Sequence, residues 1–160
     1  GKRDVLLSLV GSERCIRDRF WTRRRAFHYM IPQEWGRVMA VSSLEGKVGK
    51  PGISIYVAAK HAINGLTKSA AQEVGTLGIT VNALCPGAIE TDIMMVEGPP
   101  AAEAMGTDYE GLLEMFASES AIKRLNDVED VAAVATLLAS DAGAGITGSL
   151  ISIDGGTAPY

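Results

Sequence analysis

Two runs of sequence decide the fold: Gly36-Arg37-Val38-Met39-Ala40-Val41-Ser42-Ser43 and, one helical span later, Thr80-Val81-Asn82-Ala83-Leu84-Cys85-Pro86-Gly87. The first gives a short apolar strand over Gly36–Ser42. It lacks the strict alternation of a half-exposed strand, as expected where both faces are covered. A turn-rich loop follows, through Gly46, Gly49, Pro51 and Gly52. Ile55 to about Gly75 then reads as a long helix: Ala58, Ala59, Ala62, Ala70 and Ala71 favour it, and Gly75 or Gly78 ends it. The second strand, Thr80–Cys85, is stopped by Pro86-Gly87. A crossover of this length that carries a helix requires parallel strands, and its right-handedness lays helices on the sheet faces.

Outward from this unit, Thr22–Gln33 reads as the end of an amphipathic helix, with Ala26, Phe27, Met30 and Ile31 on one face and Pro32 in its last turn. Downstream, residues 88–100 read as loop and Ala101–Ser118 as helical. Asn126 or Asp127 caps a helix over Val128–Ala139. A last strand, Leu150–Ile153, is stopped by Asp154-Gly155-Gly156. In open parallel sheets ligands bind beyond the carboxyl ends of the strands. Ser42-Ser43 and the run from Pro86 to Thr91 both fall there.

Composition sets the outer limits. The chain has 160 residues, 47% hydrophobic and 21% charged, with a formal charge of −4. That is ordinary for a globular domain. No apolar run reaches the roughly 20 residues of a membrane span. Cys15 and Cys85 make neither a disulfide framework nor a zinc site. His28 and His61 give no metal-binding spacing, and mild acidity argues against nucleic acid. Cys85 reads as a buried reduced thiol, and Asn82 as a residue bonding nearby backbone.

The charge is uneven. Residues 1–25 hold eight cations against three acids, whereas residues 26–160 hold seven against sixteen. The segment from Leu9 to Asp18 resembles a translated sequencing-library adaptor. Residues 1–19 are therefore expected to be a non-native or disordered segment, outside the fold. A native basic arm is the alternative.

Tyr56 and Lys60, four apart on the long helix, share one face. A free phenol titrates near 10, and a nearby ammonium favours its phenolate, making such a Tyr a credible general acid/base. Ser43 could hydrogen-bond a substrate oxygen at the same point.

Five ordered landmarks carry a family resemblance: Gly36-Arg37-Val38 with Ser42-Ser43, Tyr56-Val57-Ala58-Ala59-Lys60, the run Val81–Gly87, Thr91, and Ile146-Thr147-Gly148 with Asp154-Gly155-Gly156. From about Phe20 to its end the chain resembles the short-chain dehydrogenase/reductase family. The spacing from Ser43 to Tyr56 selects Ser43 over Ser42. The resemblance is nearest in phrase to 3-hydroxybutyrate dehydrogenases and 3-oxoacyl-carrier-protein reductases.

This resemblance implies an α/β fold, a Rossmann-like doubly wound parallel sheet truncated to its C-terminal strands and helices over residues 20–160. It implies a cytoplasmic enzyme that interconverts a ketone and a secondary alcohol with NAD or NADP. Tyr56 would exchange the proton, Lys60 would lower its pKa and bind the nicotinamide ribose, and Ser43 would polarise the carbonyl. Pro86, Gly87, Ile89 and Thr91 would contact the cofactor, and residues 93–118 would form a substrate lid. Partners would be the small-molecule substrate and further copies of the chain, as a homodimer or homotetramer, with no metal, nucleic acid or membrane. The family's Gly-rich phosphate turn and the residue that separates NAD from NADP have no counterpart here. A second expectation follows: an inactive fragment that keeps only oligomerisation surfaces, with an unpaired edge strand at Gly36–Ser42. Amplifying the genomic locus across codons 1–25 should yield a sequence that departs from this chain upstream of about Phe20. An amplicon that encodes residues 1–19 unchanged would contradict the adaptor origin.

Overall fold

A computed structural model describes residues 2–158. Three strands form one parallel sheet in the order β1 (Gly36–Val41), β2 (Ile79–Pro86), β3 (Leu150–Ile153). The register sets Gly36 beside Ile79 and Val41 beside Leu84, then Ala83 beside Leu150 and Pro86 beside Ile153. The central strand β2 is buried along almost its whole length. β1 pairs on one side only among the described residues, leaving the edge that the sequence indicated.

Alternation along the strands feeds two cores. On one face, Val38 and Val81 pack with Ala70, Ala71 and Val74 of α2 (Ser54–Val74) and with Phe27 and Met30 of α1 (Lys2–Met30). On the other, Met39, Leu84 and Ile153 pack with Val131, Val134 and Leu138 of α5 (Val128–Ala139). Helices therefore cover both faces, as the unpatterned strands required. Burying one such side chain contributes about 1.5–3 kcal/mol. Asn82 serves this core as a polar staple: its Nδ2 donates to Ile146 O at 2.7 Å and its Oδ1 accepts from Ser149 N at 3.1 Å. These bonds fix the approach to β3.

The long α1 runs without a break through the segment expected to lie outside the fold, and it ends at Met30 because Pro32 follows. Below it, Glu34 adopts a left-handed φ of 49° to turn the chain into β1. The structure corrects the reading of residues 88–100 as loop. There α3 (Asp92–Ala104) begins, and the expected single helical stretch over Ala101–Ser118 divides at Gly106, φ 76°, before α4 (Tyr109–Glu119). Gly98, Pro99 and Pro100 argued against helix in the sequence. Pro99 and Pro100 leave only the Met95 and Val96 carbonyls without helical donors, on residues that are exposed to water. Gly98 is buried because a Cβ there would stand 2.5 Å from the Tyr109 ring of α4. Asp92 in the first turn complements the helix dipole. No helix among the described residues is long and apolar enough to cross a membrane.

Gly78 closes the helix-to-strand turn at φ 69°, where an added Cβ would collide with the Glu34 carbonyl oxygen. Gly78→Ala should cost at least about 1–2 kcal/mol in urea unfolding, because the backbone is left-handed and the neighbour is main chain.

Candidate active site

The carboxyl ends of β1 and β2 lead into the loop before α2 and the segment before α3, and Lys50 of that loop reaches Phe116 and Glu119 of α4. Ser42 extends the ladder, its N–H donating to Leu84 O at 2.7 Å. Ser43 then leaves the strand in an extended conformation and caps a single 3-10 turn over Leu44–Gly46. Its buried hydroxyl donates to the Glu45 carboxylate and accepts a weak bond from Glu45 N at 3.4 Å.

The helix α2 is fastened to this strand end and the turn after it by four hydrogen bonds. Lys60 Nζ donates to Ser42 O at 3.0 Å and reaches Val41 O at 3.5 Å. Ser42 Oγ donates to Lys60 O at 3.4 Å. Buried Asn64 donates through Nδ2 to Gly46 O at 2.8 Å. Gly46 has no room for a side chain, since a Cβ would lie 2.6 Å from Asn64 Nδ2 and 2.8 Å from Ser42 Oγ. Lys60 Nζ lies 5.3 Å from the centroid of the Tyr56 ring, which is 40% exposed. The two residues that the spacing paired are thus paired in space, one turn apart, beside the loop that carries Ser43.

The expected cofactor contacts lie on the segment after β2. Pro86 ends the strand, and Gly87 N donates to Ile153 O at 3.0 Å. A Cβ on Gly87 would meet Asp154 Cα at 2.9 Å, so glycine permits the close approach of the two strand ends. Ile89 bridges to Asn126, whose N–H donates to Ala88 O at 3.1 Å. Thr91 opens α3 in an extended conformation and makes no side-chain capping bond. Ile89 and Thr91 line a cleft of about 290 Å³ between α3 and α4 with Met94, Gly98, Met105 and Phe116, inside the expected lid. Pro86 and Gly87 lie outside that lining. A second cavity of about 400 Å³, between α1 and α2, contains none of the expected site residues.

Sequence reasoning missed Asn64, Lys47 and Glu45, and read Asn126 only as a candidate helix cap. Asn64 was legible as a polar residue on the buried face of an apolar helix, facing inward one turn beyond Lys60. Glu45 bonds Ser43, two residues away, whereas Lys47 and Asn126 depend on contacts distant in sequence. Lys47 Nζ, for example, donates to Ser152 Oγ at 2.9 Å. Cys85, wholly buried, donates its thiol toward Asn64 Oδ1 at 4.0 Å. Burial pushes its pKa up, with Lys47, Asn64, Ser42 and the Ser43 backbone opposing. Among the described residues no group of His, Cys, Asp and Glu could hold a metal ion.

Of the residues expected to face a nicotinamide cofactor, Lys60, Tyr56 and Thr91 carry hydrogen-bond donors of the kind that ribose and carboxamide need. No Gly-rich turn is present among the described residues to hold the phosphates. The family model described as enoyl-(acyl carrier protein) reductase matches residues 20–158. D-beta-hydroxybutyrate dehydrogenase of Rhizobium meliloti is 41% identical over 138 residues, covering 86% of this chain and 54% of that protein. The crystal structure of sorbitol-6-phosphate 2-dehydrogenase from Erwinia amylovora superimposes with a TM-score of 0.82 at 32% identity, over 99% of this chain and 61% of that one. The structure of ElxO with NADP bound gives a TM-score of 0.76 at 30% identity, over 88% and 54%. The chain spans about half the length of the curated relatives it matches.

A thiol whose pKa is raised on folding stabilises the fold below the ordinary thiol range, and that stability is lost as pH rises toward the raised value. Urea stability should therefore fall from about pH 8.5 upward, and fall less steeply in Cys85→Ala. Parallel slopes in the two proteins would contradict the burial effect.

Proposed function

This chain belongs to the short-chain dehydrogenase/reductase family, and from that premise we propose that its site interconverts a ketone and a secondary alcohol with NAD or NADP as the cofactor. The observation that carries this reading is Lys60, held at the end of β1 with its ammonium 5.3 Å from the Tyr56 ring centroid.

A bound nicotinamide supplies or accepts the hydride. The chain's own residues handle the proton. In reduction, Tyr56 donates its phenolic proton to the carbonyl oxygen. In oxidation the phenolate takes the proton from the alcohol. The Lys60 ammonium favours the phenolate and thus brings the phenol nearer to working pH. Ser43 gives a hydrogen bond to the same oxygen, for which its hydroxyl must turn away from Glu45. Lys60 also faces the ribose. Thr91, free of a capping duty, serves the carboxamide or a phosphate, while Ile89 and the Pro86-Gly87 backbone bound the ring pocket. Residues 93–118 act as the lid over the substrate. Residues 1–19 stand outside this machinery as a non-native segment, and association through α2 and β3 would give a dimer or tetramer.

The half-length match favours a second reading, in which this chain alone keeps association surfaces and no activity. Fluorescence titration of the 160-residue chain with NADH and NADPH separates the two. Saturable binding in the micromolar range excludes the second reading, and its absence supports it. In the enzyme assayed for NAD(P)H-dependent ketone reduction, Tyr56→Phe should lower kcat by at least about a hundredfold while cofactor binding persists. Near-normal turnover would refute the role of Tyr56.

A further inference from the structure

We infer that the cleft between α3 and α4 selects an uncharged ketone or secondary alcohol with an apolar chain, and discriminates against carboxylate or phosphate substrates. This rests on the proposed oxidoreductase reading and sharpens its substrate class.

The lining of the cleft is apolar on both helices: Ile89, Met94, Ala101, Met105, Leu112 and Phe116. Its one charged lining residue is an acid, Glu97. Outside the lining, on the loop after β1, the Ser43 hydroxyl donates to a second carboxylate, Glu45. A third, Glu90, accepts from Tyr109 Oη at 3.0 Å at the start of α4 and does not line the cleft. An anionic head group inside the cleft meets the Glu97 carboxylate and no lining cation.

The nearby cations are engaged elsewhere. Lys47 is bonded to Ser152 Oγ and, at 3.4 Å, to Leu150 O. Lys50 sits over the Phe116 ring, 5.0 Å from its centroid, and pairs with Glu119 at 3.4 Å. Lys60 is bonded to the β1 carbonyls and, in the proposed function, serves the ribose. None of the three lines the cleft. Burying methylenes against Met and Leu contributes about 0.8 kcal/mol each, and a flexible Met surface suits an unbranched chain. A cleft of about 290 Å³ has room for a chain of several carbons.

The ligands 2-octanone and octanoate share a chain length and differ in charge, so together they isolate the effect. The full 160-residue chain, labelled with 13C at its methionine methyls, is titrated with each in the absence of cofactor. Met94 and Met105 report the cleft, and Met30 and Met39, in the two cores, serve as internal controls. The expected result is a saturable shift at Met94 and Met105 alone, with octanoate at least tenfold weaker than 2-octanone, and a smaller gap in Glu97→Gln. Octanoate binding as tightly as 2-octanone overturns the inference. So does a gap that Glu97→Gln leaves unchanged, or an absence of shifts at the cleft with either ligand. No cofactor or turnover enters the measurement, so these failures leave the role of Tyr56 to its own test.

Discussion

The Lys60 ammonium donates into the carbonyl oxygens at the end of β1, and the arrangement of the site depends on that contact. A charge-assisted bond to a carbonyl contributes more than a neutral one, about 1.5–3 kcal/mol. Here it joins two elements that the sequence separates by a Gly-rich loop. The reverse bond from Ser42 to Lys60 O, and the Asn64 bond to Gly46 O, close the same junction. Small residues make it possible, for Gly46 sits where any side chain would force Asn64 and Ser42 apart. With α2 fixed to β1 in this way, Tyr56 and the loop that carries Ser43 keep a constant relation.

The sheet supplies the platform for that junction. Its central strand is buried on both faces, so its position is set by two cores at once, one under α1 and α2 and one under α5. The ends of β2 and β3 approach closely enough at Gly87 and Asp154 to exclude a Cβ. The open side of β1 is the opposite case. Its unpaired backbone groups make this edge a place where a further strand can add.

The three strands were legible as short apolar runs followed by turn residues, α2 by its alanines and its glycine stop, and the end of α1 by its helical spacing. Tyr56 and Lys60 were legible as a pair because a four-residue spacing sets them on one helix face, whereas Ser43 was singled out by the family resemblance. The start of α3 was not. Gly98, Pro99 and Pro100 carry strong breaking signals, and they are overridden by the packing of Tyr109 against Gly98 and by the exposure that lets the freed carbonyls meet water. Lys47 escaped because its partner, Ser152 Oγ, lies 105 residues away in the chain. A hydrogen bond across such a distance leaves no local pattern to read.

Hydrogen exchange tests the junction most directly. In Lys60→Met, the amides of Gly46 and Lys47 in the loop and of Val57 in α2 should exchange roughly tenfold faster together, as expected for about 1.4 kcal/mol of lost coupling. Val81 and Ala83, in the central strand, should keep the wild-type rate. Unchanged exchange at Gly46 and Lys47, or acceleration confined to α2, would contradict the claim that Lys60 couples the helix to the strand end.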